Sequence, residues 1–131
     1  MPRPDRRVPL TRLELEVMEP LWRLGEASVR EILGALPGER RVEYTTVQTV
    51  VYRLEEKGVV RRVKKVGNAH VFAPTVPRQS AVGALVDELV RRLGGSPAPL
   101  MSHLVESGRL GLRDLKALED MIRRRRGGGS S

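Results

Sequence analysis

Apolar residues recur at every third or fourth position over most of the chain, and one stretch near the middle abandons that spacing. Leu10, Leu13, Val17, Leu21 and Leu24, with Met18 and Trp22 beside them, trace one face of an amphipathic helix. Thr11-Arg12-Leu13-Glu14 precedes it as a capping box, in which hydroxyl and carboxylate satisfy two orphan amides reciprocally. Gly25 ends this helix. Pro20 inside it predicts a kink or break near Glu16 to Glu19, because proline removes one hydrogen bond and clashes with the preceding turn at about 3 kcal/mol. Ser28-Val29-Arg30-Glu31 is a second capping box, opening a short helix through Val29, Ile32, Leu33 and Leu36 that Pro37-Gly38 stops. A third helix runs from Tyr44 toward Gly58, with Val47, Val50, Val51 and Leu54 as its inward stripe and Gly58 as its C-terminal cap.

Between Val59 and Val76 the period changes. Val60, Val63, Val66, Val71 and Val76 are interrupted by Gly67-Asn68-Ala69, which predicts a β-hairpin with a glycine turn. Three helices followed at once by a hairpin are the order of a winged helix-turn-helix. Helical spacing then resumes in three segments. Val82, Leu85, Val86, Leu89, Val90 and Leu93 run to Gly94-Gly95; Leu100, Met101, Leu104 and Val105 follow a Ser96-Pro97 start; Leu112, Leu115, Leu118, Met121 and Ile122 lead into Arg123 to Arg126 and a Gly-Ser tail.

The expected fold is mainly α with a small β-hairpin wing: a flexible basic arm over 1–9, a winged-helix DNA-binding domain over 10–76, a helical dimerisation domain over 77–126 and a disordered tail over 127–131. Three short helices without a sheet cannot bury such stripes alone below about 60 residues. A second copy related by a two-fold axis is therefore the expected partner, meeting the first through Leu85, Leu89, Leu93, Leu100, Leu104, Leu115, Leu118 and Ile122.

Charge sharpens this picture. Lys and Arg number 24 against 16 Asp and Glu, a net of +8, which favours a polyanionic partner, nucleic acid ahead of membrane surface. There is no cysteine, so disulfides, thiol nucleophiles and Cys-ligated metal sites are excluded. The charged N-terminus is not followed by an apolar segment, and no run approaches the roughly 18 apolar residues of a membrane span. A cytoplasmic protein without membrane insertion is expected.

The third helix carries the candidate chemistry. A helix that enters the major groove needs short or flexible hydrogen-bonding side chains near its N-terminus and cations further along. Thr45, Thr46, Gln48 and Thr49 meet the first need and Arg53 the second. The competing reading makes Thr45 an N-cap with Gln48 completing its box, which leaves a solvated polar face. The hairpin adds Arg61, Arg62, Lys64, Lys65 and His70 around Gly67 and Asn68, and from Arg40 to His70 eight cations stand against three Glu. Catalysis finds little support: His70 and His103 lie in different modules, with no HExxH, no glycine-rich phosphate loop and no reason to expect a cofactor or metal. Two rival functions are a winged-helix protein-interaction module and a non-specific nucleic-acid-binding protein.

Leu10 to Trp22, Thr46 to Gly58 and Val71-Phe72-Ala73-Pro74 together resemble the penicillinase-repressor family, the BlaI and MecI group of antibiotic-resistance regulators, over roughly residues 10 to 125. The resemblance implies a winged helix, a helical dimerisation region, binding to an inverted-repeat operator in double-stranded DNA, and derepression by a membrane sensor protease. It places base reading on Thr45, Thr46 and Thr49, with Arg53, Lys64 and Lys65 on phosphates. Such repressors start the recognition helix with a Ser-Pro-Lys-Thr type sequence, and here it reads Glu43-Tyr44-Thr45-Thr46. At the familiar Asn-Phe cleavage position this chain carries His103-Leu104, and it lacks the cysteine-rich metal site of copper-responsive relatives.

Overall fold

Both capping boxes form. Thr11 Oγ1 accepts the Glu14 amide at 3.2 Å while Glu14 Oε1 accepts the Thr11 amide at 2.8 Å, and α1 (Arg12–Leu24) follows. Ser28 and Glu31 exchange the equivalent bonds at 3.2 and 2.9 Å ahead of α2 (Val29–Ala35). The structure, a computed structural model, describes residues 9–39 and 41–129; the basic arm expected over 1–9 lies, but for Pro9, outside them. The chain divides into two compact units, residues 1–88 and 89–131.

α1 runs unbroken through Pro20, so the expected break near Glu16 to Glu19 does not occur. Val17, Met18 and Leu21 are fully buried around that point and Pro20 is buried with them. At roughly 1.5–3 kcal/mol for each buried aliphatic side chain, that stripe outweighs the hydrogen bond lost at proline. α3 (Tyr44–Glu56) buries Val47, Val50, Val51 and Leu54 against the same core, and Gly58 leaves its end at φ +79°, in the left-handed region that glycine tolerates.

The sheet holds one strand that periodicity does not announce. β1 (Ala27–Ser28) pairs antiparallel with β3 (Ala69–Pro74), which pairs in turn with β2 (Val60–Val66), giving the order β1-β3-β2. Phe72 of β3, 1% exposed, closes the core beneath α1, α2 and α3. The sheet and the three helices form a winged helix. The start of α4 (Arg78–Arg92) belongs to this unit: Ala81 joins the core, Arg78 bonds Glu19 at 2.8 and 3.1 Å, and Trp22 Nε1 donates to the Val76 carbonyl at 2.9 Å.

One charged pair is built into this interior. Glu14 is fully buried, and Lys57, just past the end of α3, donates to its Oε1 at 2.6 Å. Burial pushes the Glu14 carboxyl up, but the bonds from Lys57 and from the Thr11 amide outweigh it and hold the group below the ordinary glutamate range. Its Oε2 has no partner among the described residues. The N-terminus of α1 is thereby tied to the C-terminus of α3.

In the second unit α5 (Ala98–Glu106) and α6 (Leu112–Gly129) follow turns at Gly94, Gly95 and Gly108, all at positive φ. α5 begins one residue later than Ser96-Pro97 suggests: Pro97 is the cap and Ser96 Oγ accepts the Ala98 amide at 3.2 Å. Among the described residues of this unit none is buried. No helix of the described residues is long and apolar enough to cross a membrane.

Candidate nucleic-acid interface

α3 turns its valine stripe inward, so the opposite side is held out rigidly. Thr45, Thr46, Thr49 and Arg53 are exposed and Gln48 is half-buried. Thr45 is not the N-cap. That place falls to Glu43, whose carbonyl accepts the Thr46 and Val47 amides at 3.0 and 3.1 Å and whose side chain makes no cap bond. Thr45 is therefore a helical residue with its side chain uncommitted, and the capping alternative drops out. The Thr49 hydroxyl donates to the Thr45 carbonyl at 2.9 Å, which leaves its oxygen to accept and its methyl to make apolar contact. Gln48 Nε2 donates to the Tyr52 hydroxyl at 3.3 Å and so leans along the helix.

The wing is less simple than strict alternation implies. Arg62 pairs with Phe72 and Lys64 with Val71, so one extra residue, Val63, bulges out of β2. Neighbouring partners on β3 point to opposite faces, which separates Arg62 from Lys64 and puts Arg62, Lys65 and His70 on the side of Phe72. Arg62 packs over the Tyr52 and Phe72 rings at 5.4 and 5.5 Å and bonds Glu55 at 2.9 and 3.3 Å, bracing the wing against α3. On the other face Lys64 meets Glu26 at 2.7 Å, and that bond holds its ammonium above the usual lysine range. Lys65 and Asn68 are exposed at the tip, where Gly67 takes φ +61°, the positive value a two-residue hairpin turn requires at its first central position.

Three of the eight cations between Arg40 and His70 are thus paired with carboxylates, Lys57 to the buried Glu14, and Arg62 and Lys64 at the surface to Glu55 and Glu26. Arg41, Arg53, Arg61 and Lys65 remain exposed without an ion-pair partner among the described residues. The structure brings Thr45, Thr46, Gln48, Thr49 and Arg53 together on one helix beside Lys65 and Asn68, and it draws Lys64 away from them. Tyr44, Tyr52 and Arg30 also frame this surface; of these, Tyr44 and Tyr52 are visible in the sequence, spaced four residues either side of Gln48.

The positions proposed to dimerise fall elsewhere. Leu85 is 38% exposed at the end of the first unit; in the second, Leu89, Leu93, Leu115 and Ile122 are exposed and Leu100, Leu104 and Leu118 half-buried. His103 is exposed and stands beside Leu104 inside α5. No group of three or more His, Asp or Glu able to hold a metal occurs among the described residues.

The profile of the family described as penicillinase repressor matches residues 10–124. Two strains of Mycobacterium tuberculosis carry a protein named transcriptional regulator BlaI that is 38% identical over 109 residues, spanning 81% of this chain and 77% of that one. The solution structure of the DNA-binding domain of the repressor BlaI superposes with a TM-score of 0.51 at 25% identity, covering 61% of this chain and 93% of that domain.

Proposed function

The chain belongs to the penicillinase repressor family, and from that premise we propose that it is a DNA-binding transcriptional repressor that grips an inverted-repeat operator as a homodimer. One observation carries the reading: Thr45, Thr46 and Thr49 stand exposed on a helix whose other side is buried, beside a cationic ribbon braced to that helix. Threonine hydroxyls and methyls suit base edges, and Arg53 and Lys65 suit phosphates. Repression of this kind needs occupancy and no chemistry, and it takes place in the cytoplasm.

The second unit supports the dimer. A segment of amphipathic helices with no buried residue among its described residues gains an interior only from a partner, and a second copy offers the same stripe. Two recognition helices then face half-sites about one helical turn, roughly 34 Å, apart. Induction acts by weakening this dimer; in this segment His103-Leu104 stands where such repressors carry the Asn-Phe pair that a membrane sensor protease cuts. The bond lies within α5, where the Ser107 amide holds the His103 carbonyl at 2.9 Å, so the end of α5 must open before any cut there.

A gel shift with a duplex from upstream of its own gene tests the proposal. T46A combined with R53A should abolish the shifted band while sedimentation still reports a dimer. Equal affinity for a scrambled duplex would refute sequence-specific repression in favour of non-specific binding.

A further inference from the structure

We propose that the cleft bounded by the start of α2, by α3 and by the turn and β3 of the wing seats one phosphodiester group of the DNA backbone, with Arg30 and His70 as its donors. The inference rests on the repressor reading and adds a contact that lies outside the recognition helix.

The cleft measures about 170 Å³ and is lined by Ser28, Arg30, Tyr44, Gln48, Asn68 and His70, among others. Pockets for drug-sized ligands run from about 300 to 1,000 Å³. This one holds about five or six waters at roughly 30 Å³ each, the scale of a single small polar group. Among the described residues no carboxylate lines it. What it presents are donors: a guanidinium, an imidazole that keeps at least one N–H in either charge state, the Asn68 amide and tyrosine and serine hydroxyls. Such a set selects an oxyanion.

Arg30 is prepared for this use. Its guanidinium lies over the Tyr44 ring at 5.4 Å and has no acidic partner among the described residues. Stacking holds the flat face and leaves the edge N–H groups free, the geometry that grips a phosphate through two oxygens. Location argues the same way. Tyr44, Gln48 and Tyr52 flank the exposed threonines on the wing side of α3, so a duplex whose major groove takes the threonine face carries a backbone strand along this flank. Lys65, the cross-strand partner of His70, adds a cation on the same face of the ribbon.

Anisotropy titrations of a labelled duplex from upstream of its own gene, between about 50 and 200 mM salt, test the seat. One phosphate contact adds about 0.9 to the salt slope, so across that range the affinity of R30Q should fall about 3.5-fold less than that of the wild type. R30K should recover part of the slope, and H70F, which keeps the ring and removes its donors, should weaken binding several-fold. All three variants should keep the wild-type Tm. An unchanged slope in R30Q overturns the phosphate seat and leaves the repressor reading standing; no wild-type binding overturns both. Calorimetric binding of inorganic phosphate alone, lost in R30Q while the DNA slope stays unchanged, assigns the cleft to a free anion and overturns its assignment to DNA.

Discussion

Replacing Lys57 with Met probes how the reading helix is held. Glu14 is fully buried and accepts from the Thr11 amide at 2.8 Å and from Lys57 Nζ at 2.6 Å. Removing the lysine strips a buried carboxylate of its counter-ion, a change that costs about 3–5 kcal/mol. The Lys57 side chain is 25% exposed, so water reaches the gap, and the Thr11 amide stays in place. The lower end, about 3 kcal/mol, is therefore expected at pH 7. For a domain of this size it corresponds to a fall in Tm of roughly 12–24 °C. The pH dependence gives a second check. A carboxyl held below its ordinary value contributes its stability in full above that value and loses it as pH falls through the lowered one. The Glu14 contribution in the wild type should thus fade below about pH 4.5. In K57M burial acts with only the Thr11 bonds against it, so the carboxyl protonates earlier on acidification and the deficit against wild type shrinks toward pH 4. The double variant E14Q/K57M, which buries no charge, should recover most of the loss. Thermal unfolding followed by circular dichroism from pH 7 to pH 4 reads all of this. A K57M protein within about 1 kcal/mol of wild type at pH 7, or a deficit that does not change with pH, refutes the reasoning.

Three further outcomes are expected. K65A should lower the salt slope of DNA binding by about 0.9, whereas K64A should leave it nearly unchanged, because Glu26 already engages that ammonium; anisotropy titrations read both. T49V, which keeps the shape and removes the hydroxyl, should leave Tm within about 3 °C of wild type and weaken specific binding by about 1–3 kcal/mol in a competition gel shift, if a base edge meets that oxygen. L89E with I122E should shift the protein from dimer to monomer in sedimentation velocity while the winged helix keeps its own melting transition, since both positions lie in the second unit.

The elements legible in the sequence were those fixed by local chemistry. Capping boxes at Thr11 and Ser28, the valine stripe of α3 and the glycine turn of the hairpin each depend on residues within a few positions of one another. What escaped depends on distant pairing. β1 is two residues long and exists only because Phe72 and Val71 lie beside it, while its Ser28 doubles as the cap of α2. The bulge at Val63 leaves no mark in a run of valines and cations, yet it decides that Lys65 rather than Lys64 shares a face with Arg62. Counting charges overstated the free positive surface for the same reason, because Glu14, Glu26 and Glu55 lie close in space and not always in sequence to the cations they engage. Pro20 misled because helix-breaking is a local cost and burial a collective gain.

The second unit's lack of an interior has a consequence for control. If a twin chain supplies that interior, tail order and pairing become one mass-action event, and paired molecules at low abundance increase with the square of chain number. Halving the supply of intact chains would then quarter the gripping species, so a modest loss of protein could release a promoter abruptly.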